Sequence, residues 1–136
     1  MLLEVLDRLS EEHRELLPLL VAVQRAAESG DAAALAAKLA GAQAALTGEL
    51  DAHIVLEDDI AFPAIAEALG DGIVTPFRAE HVEIRELRDQ VLANAAEGRV
   101  SVARALQLCD LITAHMEREE AMLFPSAREA LAGGRA

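Results

Sequence analysis

One string occurs twice in this chain and constrains the fold more than any other feature. Residues 53–58 read His53-Ile54-Val55-Leu56-Glu57-Asp58, and Phe62-Pro63 follows nine residues after the histidine. Residues 115–120 read His115-Met116-Glu117-Arg118-Glu119-Glu120, and Phe124-Pro125 follows at the same distance. In each copy a histidine and a glutamate stand four residues apart, one turn up the same helix face.

The flanking residues say which way that face points. Leu46, Leu50, His53, Glu57 and Ile60 follow the steps i, i+4, i+7, i+11 and i+14, and so do Leu108, Ile112, His115, Glu119 and Met122. Both rows are core-facing stripes in which a histidine and a glutamate replace apolar residues. On this reading Ile60 and Met122 are core residues. Two further stripes carry one histidine each: Leu9, His13, Leu16, Leu20 and Val23, and Phe77, His81, Ile84 and Val91 with Leu87 nearby. All four histidines of the chain are thereby placed, one per helix. A second repeat links these two stripes, because Glu12-His13-Arg14-Glu15-Leu16 matches Glu80-His81-Val82-Glu83-Ile84. The chain reads as two related helical hairpins with an approximate internal two-fold.

Punctuation gives four helical segments. The first covers roughly residues 2–28 and stops at Ser29-Gly30, with Ser10 as a candidate internal cap after a short lead-in helix and Pro18 as a predicted kink. Asp31 caps the second, which runs to about Phe62, with Pro63 starting a continuation to Leu69. The third starts with Thr75 as cap and Pro76 as first helical residue and ends near Gly98. The fourth runs from about Ser101 to Phe124 and restarts at Pro125, and the tail from Gly133 to Ala136 is expected to fray. Short links between long helices predict an all-α, up-down-up-down antiparallel four-helix bundle, with residues 1–136 as a single domain. Hydrophobic residues make up 53% of the chain, much of it Ala and Leu, and aromatics only 2%, a balance that favours helices over sheet.

A buried carboxylate without a partner costs several kcal/mol, so Glu57 and Glu119 must be neutralised, paired or bound to a cation. The core stripes offer no lysine, and Arg88 reads as a boundary residue. Four imidazoles and two carboxylates suit iron, manganese or zinc. A single zinc uses about four ligands and leaves the others unexplained. Two ions, each taking two histidines and sharing both carboxylates, use all six.

At these residues the chain resembles the hemerythrin-like family, the HHE cation-binding domains, over nearly its whole length. The ordered pattern His13, His53-x-x-x-Glu57, His81, His115-x-x-x-Glu119 and the two Phe-Pro pairs carry the resemblance. It implies a left-handed bundle around an oxo- or hydroxo-bridged pair of iron ions, with zinc or manganese as lesser candidates. It further implies His13, His53, His81 and His115 as terminal ligands and Glu57 and Glu119 as bridges. The sequence departs from the oxygen carriers of the family at two points. Phe77 stands where a carrier has a fifth histidine. The carriers' second bridge falls five residues after the last histidine, at Glu120 here. Glu119 is favoured because it mirrors Glu57 and shares the core row, and Glu120 is its rival. There is no tyrosine to replace the fifth histidine. Glu12, Glu80 or Asp58 would have to serve, yet Glu12 and Glu80 sit one residue, about 100° of turn, from a ligand.

The expected function is a non-haem di-iron protein that binds or reacts with O2, peroxide or NO, or senses iron or oxygen, rather than a dedicated oxygen carrier. The alternative is a zinc- or other cation-binding helical bundle without redox activity. Ferritin-like sites use Glu-x-x-His with more carboxylates, a different spacing. The formal net charge of −12 argues against nucleic acid and anionic membrane as partners. A single cysteine, Cys109, fits a cytoplasmic protein and a small buried hydrophobe. The protein is expected as a monomer or weak homodimer. Phe62-Pro63 and Phe124-Pro125 read most simply as helix terminators carrying an apolar plug.

Overall fold

The computed structural model describes residues 1–133, so most of the expected frayed tail lies outside the described residues. Four helical runs are present among them. Helix α1 is Leu2–Glu28. Helix α2 is a continuous run over residues 32–69, and α4 is another over residues 102–133. Between them α3 is Thr75–Ala96. Helices α1 and α3 each pack on α2 and α4, and the C-terminal parts of α2 and α4 also meet. The links are a few residues long, so consecutive helices run antiparallel and close a four-helix bundle.

Helix ends follow ordinary capping chemistry. Asp31 accepts from the backbone N–H groups of Ala33 and Ala34, and Ser101 accepts from that of Arg104. Gly98, at φ +73°, supplies the left-handed turn that ends α3. Two expected boundaries move. Helix α1 runs unbroken through Ser10, whose hydroxyl is used in a tertiary contact instead. Thr75 is the first residue of α3 rather than its cap, its hydroxyl donating to the Asp71 carbonyl.

Neither Phe-Pro pair terminates a helix. Both α2 and α4 pass through them by way of a wider π-helical turn, Glu57–Ala61 in one and Glu119–Leu123 in the other. The N–H of Phe62 reaches back five residues to the Glu57 carbonyl, and that of Phe124 does the same to Glu119. One extra residue per turn shifts the buried stripe by one position. Ala61 and Leu123 are fully buried, whereas Ile60 is 50% and Met122 48% exposed. The expectation that Ile60 and Met122 lie in the core is thus corrected, because an α-helical period was carried through a turn that is not α-helical. A third π turn, Ala45–Glu49, precedes His53 by one turn. Arg88 is 5% exposed, not a boundary residue, and its guanidinium donates to the Leu46 carbonyl of that turn and to Asp51.

The core has two parts. A larger cluster, including Leu20, Leu39, Leu46, Ile84, Leu108 and Ile112, fills one end of the bundle. A smaller one, including Leu6, Leu9, Phe62, Phe77, Leu123 and Phe124, fills the other. Each fully buried Leu, Ile or Phe contributes about 1.5–3 kcal/mol. The histidines and inward glutamates form a polar layer between the two.

Candidate metal centre

The six side chains singled out by the two repeats converge on that layer. His13, His53, Glu57, His81, His115 and Glu119 are all buried, with both glutamates fully so. They form two overlapping groups able to hold an ion: His13, His53, Glu57 and Glu119, and Glu57, His81, His115 and Glu119. Within each group the candidate ligand atoms lie within 4.8 Å of one another. Both groups share both glutamates and take two histidines each. The ring centroids of His13 and His53 are 4.8 Å apart, those of His81 and His115 4.9 Å, so the internal two-fold of the sequence is present in space.

The local helix geometry aims these groups. Glu57 and Glu119 each follow their histidine by one α-helical turn, which puts them on the same inward face, and each opens a π turn. The two rival acids of α4 stand in different places. Glu119 is 0% exposed and its Oε1 lies 3.1 Å from His13 Nε2 and 3.4 Å from His115 Nε2. The Glu120 side chain is 42% exposed and lies behind His13, accepting from its Nδ1 at 2.7 Å and from the Ser10 hydroxyl.

The same arrangement recurs at all four histidines. His53 Nδ1 faces Glu12 at 2.8 Å, His81 Nδ1 faces Asp58 at 2.8 Å, and His115 Nδ1 faces Glu80 at 2.8 Å. An ionised carboxylate can only accept, so each Nδ1 carries the hydrogen and each Nε2 is turned into the site. Glu12, Asp58 and Glu80, considered from sequence as replacement ligands, face the outer nitrogens instead. Every one adjoins an inward residue in the chain: Glu12 before His13, Asp58 after Glu57, Glu80 before His81, Glu120 after Glu119. That adjacency was visible in the sequence. Which histidine each acid serves was not, since every pair spans two different helices.

The inward atoms lack enough protein partners. His13 Nε2 and His53 Nε2 face each other at 3.2 Å, and only a proton or a cation can lie between two such lone pairs. Glu57 Oε2, His115 Nε2 and both Glu119 oxygens are buried without a hydrogen-bond partner. No arginine reaches them: Arg88 is spent on Asp51, Arg118 on Glu80, and Arg78 on Asp58. The donor set therefore fits cations and leaves a deficit of positive charge without them. Metal-free, protons fill part of that deficit. Burial pulls the His115 imidazole down, but Glu119 and Glu57 outweigh it and raise it to about 10. His13 is raised by the same balance, while at His53 burial prevails and lowers it. Burial pushes the Glu119 carboxyl up, yet its contacts with Glu57, His115 and His13 hold it at about 2.

The three phenylalanines line the layer. Phe124 stacks on His13 with centroids 5.8 Å apart, Phe62 stacks on His81 at 5.4 Å, and Phe77 meets His115 edge-on at 5.5 Å. Cys109 is buried elsewhere, its thiol pushed up to about 11 chiefly by burial, and takes no part.

With this geometry in hand, comparison with known sequences places the chain. The profile of the Hemerythrin HHE cation binding domain matches residues 4–127. The chain belongs to the hemerythrin HHE cation-binding family. Among curated relatives, the iron-sulfur cluster repair protein YtfE of Yersinia pseudotuberculosis is 31% identical over 139 aligned positions, covering 90% of this chain and 62% of that protein. A DNA nickase of Nostoc sp. is 28% identical over 83 residues, covering 61% of this chain and 24% of that protein. The chain thus spans less than two thirds of either relative. No solved structure matches it significantly. The HHE family assignment agrees with the buried His/Glu cluster in pointing to a metal site.

Proposed function

We propose that this HHE protein holds two iron ions between Glu57 and Glu119, one on His13 and His53 and the other on His81 and His115, and that the pair binds or reacts with O2, peroxide or NO. The observation that carries the reading is the pair of four-residue groups sharing two fully buried, under-partnered carboxylates. Iron there would supply Lewis acidity and one-electron redox chemistry. The chain's own contribution is positional. Glu12, Asp58, Glu80 and Glu120 fix the four imidazoles and raise their basicity as ligands. Phe62, Phe77 and Phe124 keep water from one side of the layer. Phe77 offers no nitrogen, so each ion would be held by two histidines, unlike a carrier with five.

The name of the Yersinia relative, an iron-sulfur cluster repair protein, supports a role in iron or oxidant chemistry. The acidic net charge disfavours nucleic acid as a partner even though one relative is a nickase. No helix among the described residues is long and apolar enough to cross a membrane. We read the protein as cytoplasmic and as a monomer or weak homodimer.

A zinc-loaded structural bundle is the competing reading, since imidazole and carboxylate also suit zinc. Metal analysis of protein purified without added metal, with optical spectra before and after air, separates the two. About two irons per chain, with near-ultraviolet absorption appearing on oxidation, supports di-iron. Stoichiometric zinc, or no thermal stabilisation by anaerobic Fe(II), contradicts it.

A further inference from the structure

The two sides of the His13 and His53 pair open onto different surfaces. On one side a groove of about 450 Å³ between α1 and α4 reaches His13, lined by apolar Leu17, Met116 and Ala121 and by Arg14 and the acids Glu117 and Glu120. On the other, a pocket of about 90 Å³ opens between Glu12, Glu15 and Glu49 and has His53 at its floor. Leu16, Leu50 and His53 close that pocket, and the same three residues begin an inner chamber of about 10 Å³, room for about one water, whose far wall includes Glu57, His81 and His115.

Acid at the mouth, apolar side chains at the neck and under-partnered ligands at the end form one path. Glu15 and Glu49 are exposed and make no ion pair among the described residues. At the inner end Glu57 Oε2 and His115 Nε2 are buried with no hydrogen-bond partner. Resting on the metal reading above, we infer that this path is how divalent cations reach and leave the site. Glu15 and Glu49 concentrate the cation and replace part of its hydration shell. Glu12, bonded to His53 Nδ1, stands next in line. The chamber is too small for a hydrated ion, so the cation sheds water at the mouth and passes as the half-buried Leu16 side chain moves aside. A charged mouth above low-dielectric walls focuses the field along the path.

The test is stopped-flow uptake of Fe(II) by the anaerobic metal-free protein, comparing Glu15→Gln/Glu49→Gln with Glu83→Gln/Glu86→Gln. The second variant removes the same charge from two exposed, unpaired glutamates on α3. The mouth variant is expected to reach wild-type iron content and spectrum but about tenfold more slowly at low salt. That deficit should shrink as salt rises, and the α3 variant should stay near wild type. Equal slowing in both variants, or none in the mouth variant, overturns the route. A second measurement uses the iron-loaded protein. Leu16→Phe narrows the neck and should slow iron removal by a chelator several-fold with the spectrum unchanged, and an unchanged rate overturns the route. If the wild type takes up no iron, the metal reading fails as well. If it takes up iron at rates indifferent to these changes, the route alone fails.

Discussion

Around His13 and His53 the surroundings are a serine, two partly exposed glutamates, Leu9 and one phenylalanine, Phe124, whereas around His81 and His115 they are Asp58, Glu80, two arginines and two phenylalanines. The sequence repeat aligns Leu9 with Phe77 and Ser10 with Arg78. Arg78 lies over the Phe62 ring that stacks on His81, and Arg118 lies over Phe77 while bonding Glu80 behind His115. Cavities reach His13 and His53 from outside, and those two histidines are 5% and 7% exposed against 1% and 3% for His81 and His115. Identical ligand sets have therefore been given unequal cover. The lesson is that a duplicated motif fixes which atoms face inward, while the residues that were free to diverge decide how the outside reaches each half.

The shared glutamates belong to both halves, so removing one should erase the comparison altogether. Glu119→Gln is expected to abolish binding of both ions and the thermal stabilisation that iron gives. The metal-free variant should also be less stable than wild type, since the buried His115 and His13 imidazoles lose the carboxylate that favours their charged form. Metal content and melting curves check both statements. A variant that still binds two ions would place the second bridge elsewhere.

The next largest effect separates the halves. Loss of the carboxylate behind a ligand histidine costs on the order of 10–100-fold in metal affinity. Burial pushes the Glu80 carboxyl up, but Arg118 and His115 hold it below its usual range, and its side chain is less exposed than that of Glu12. Glu80→Ala should therefore fall at the upper end of that range and Glu12→Ala at the lower, as measured by competition with a metal indicator. Equal losses would remove the claim that the two halves are unequally covered.

A smaller and graded effect comes from pH. The His115 imidazole, raised to about 10, steadies the metal-free protein fully below its ordinary value of 6.5, and that contribution is lost as pH climbs through about 10. A cation must displace that proton. Apparent affinity should fall by about tenfold for each unit that pH drops between 8 and 6, with proton release on binding in weakly buffered solution. Proton-neutral binding at pH 7 would contradict it.

The smallest effect tests the π turns that both halves share. Ile60→Gln and Met122→Gln should each change unfolding free energy by no more than about 0.5 kcal/mol, as surface substitutions do. If either costs several kcal/mol in denaturant melts, the stripe continues in α-helical phase past Glu57 or Glu119.

Much of this was legible in the sequence, for reasons that can be named. Four histidines on four apolar stripes and a doubled His-x-x-x-Glu specify which residues meet, because helical periodicity is a local property of the chain. The misplacement of Ile60 and Met122 has an equally local cause: no residue type marks a π turn, so the period was carried one residue too far. Arg88 was misread for a different reason. A buried arginine is costly unless paired, and its partners, Asp51 and the Leu46 carbonyl, lie on another helix at separations no pattern reveals. The stacking of Phe62 and Phe124 on His81 and His13 was hidden in the same way, behind Phe-Pro pairs that read as terminators.

The claim beneath all of this is that two cations lie between Glu57 and Glu119. Anomalous diffraction at the iron absorption edge, from crystals loaded anaerobically with Fe(II), tests it most directly. The account predicts two peaks flanked by the two carboxylates, one against His13 and His53 and one against His81 and His115. A single peak, or a signal at the zinc edge in place of iron, would contradict it.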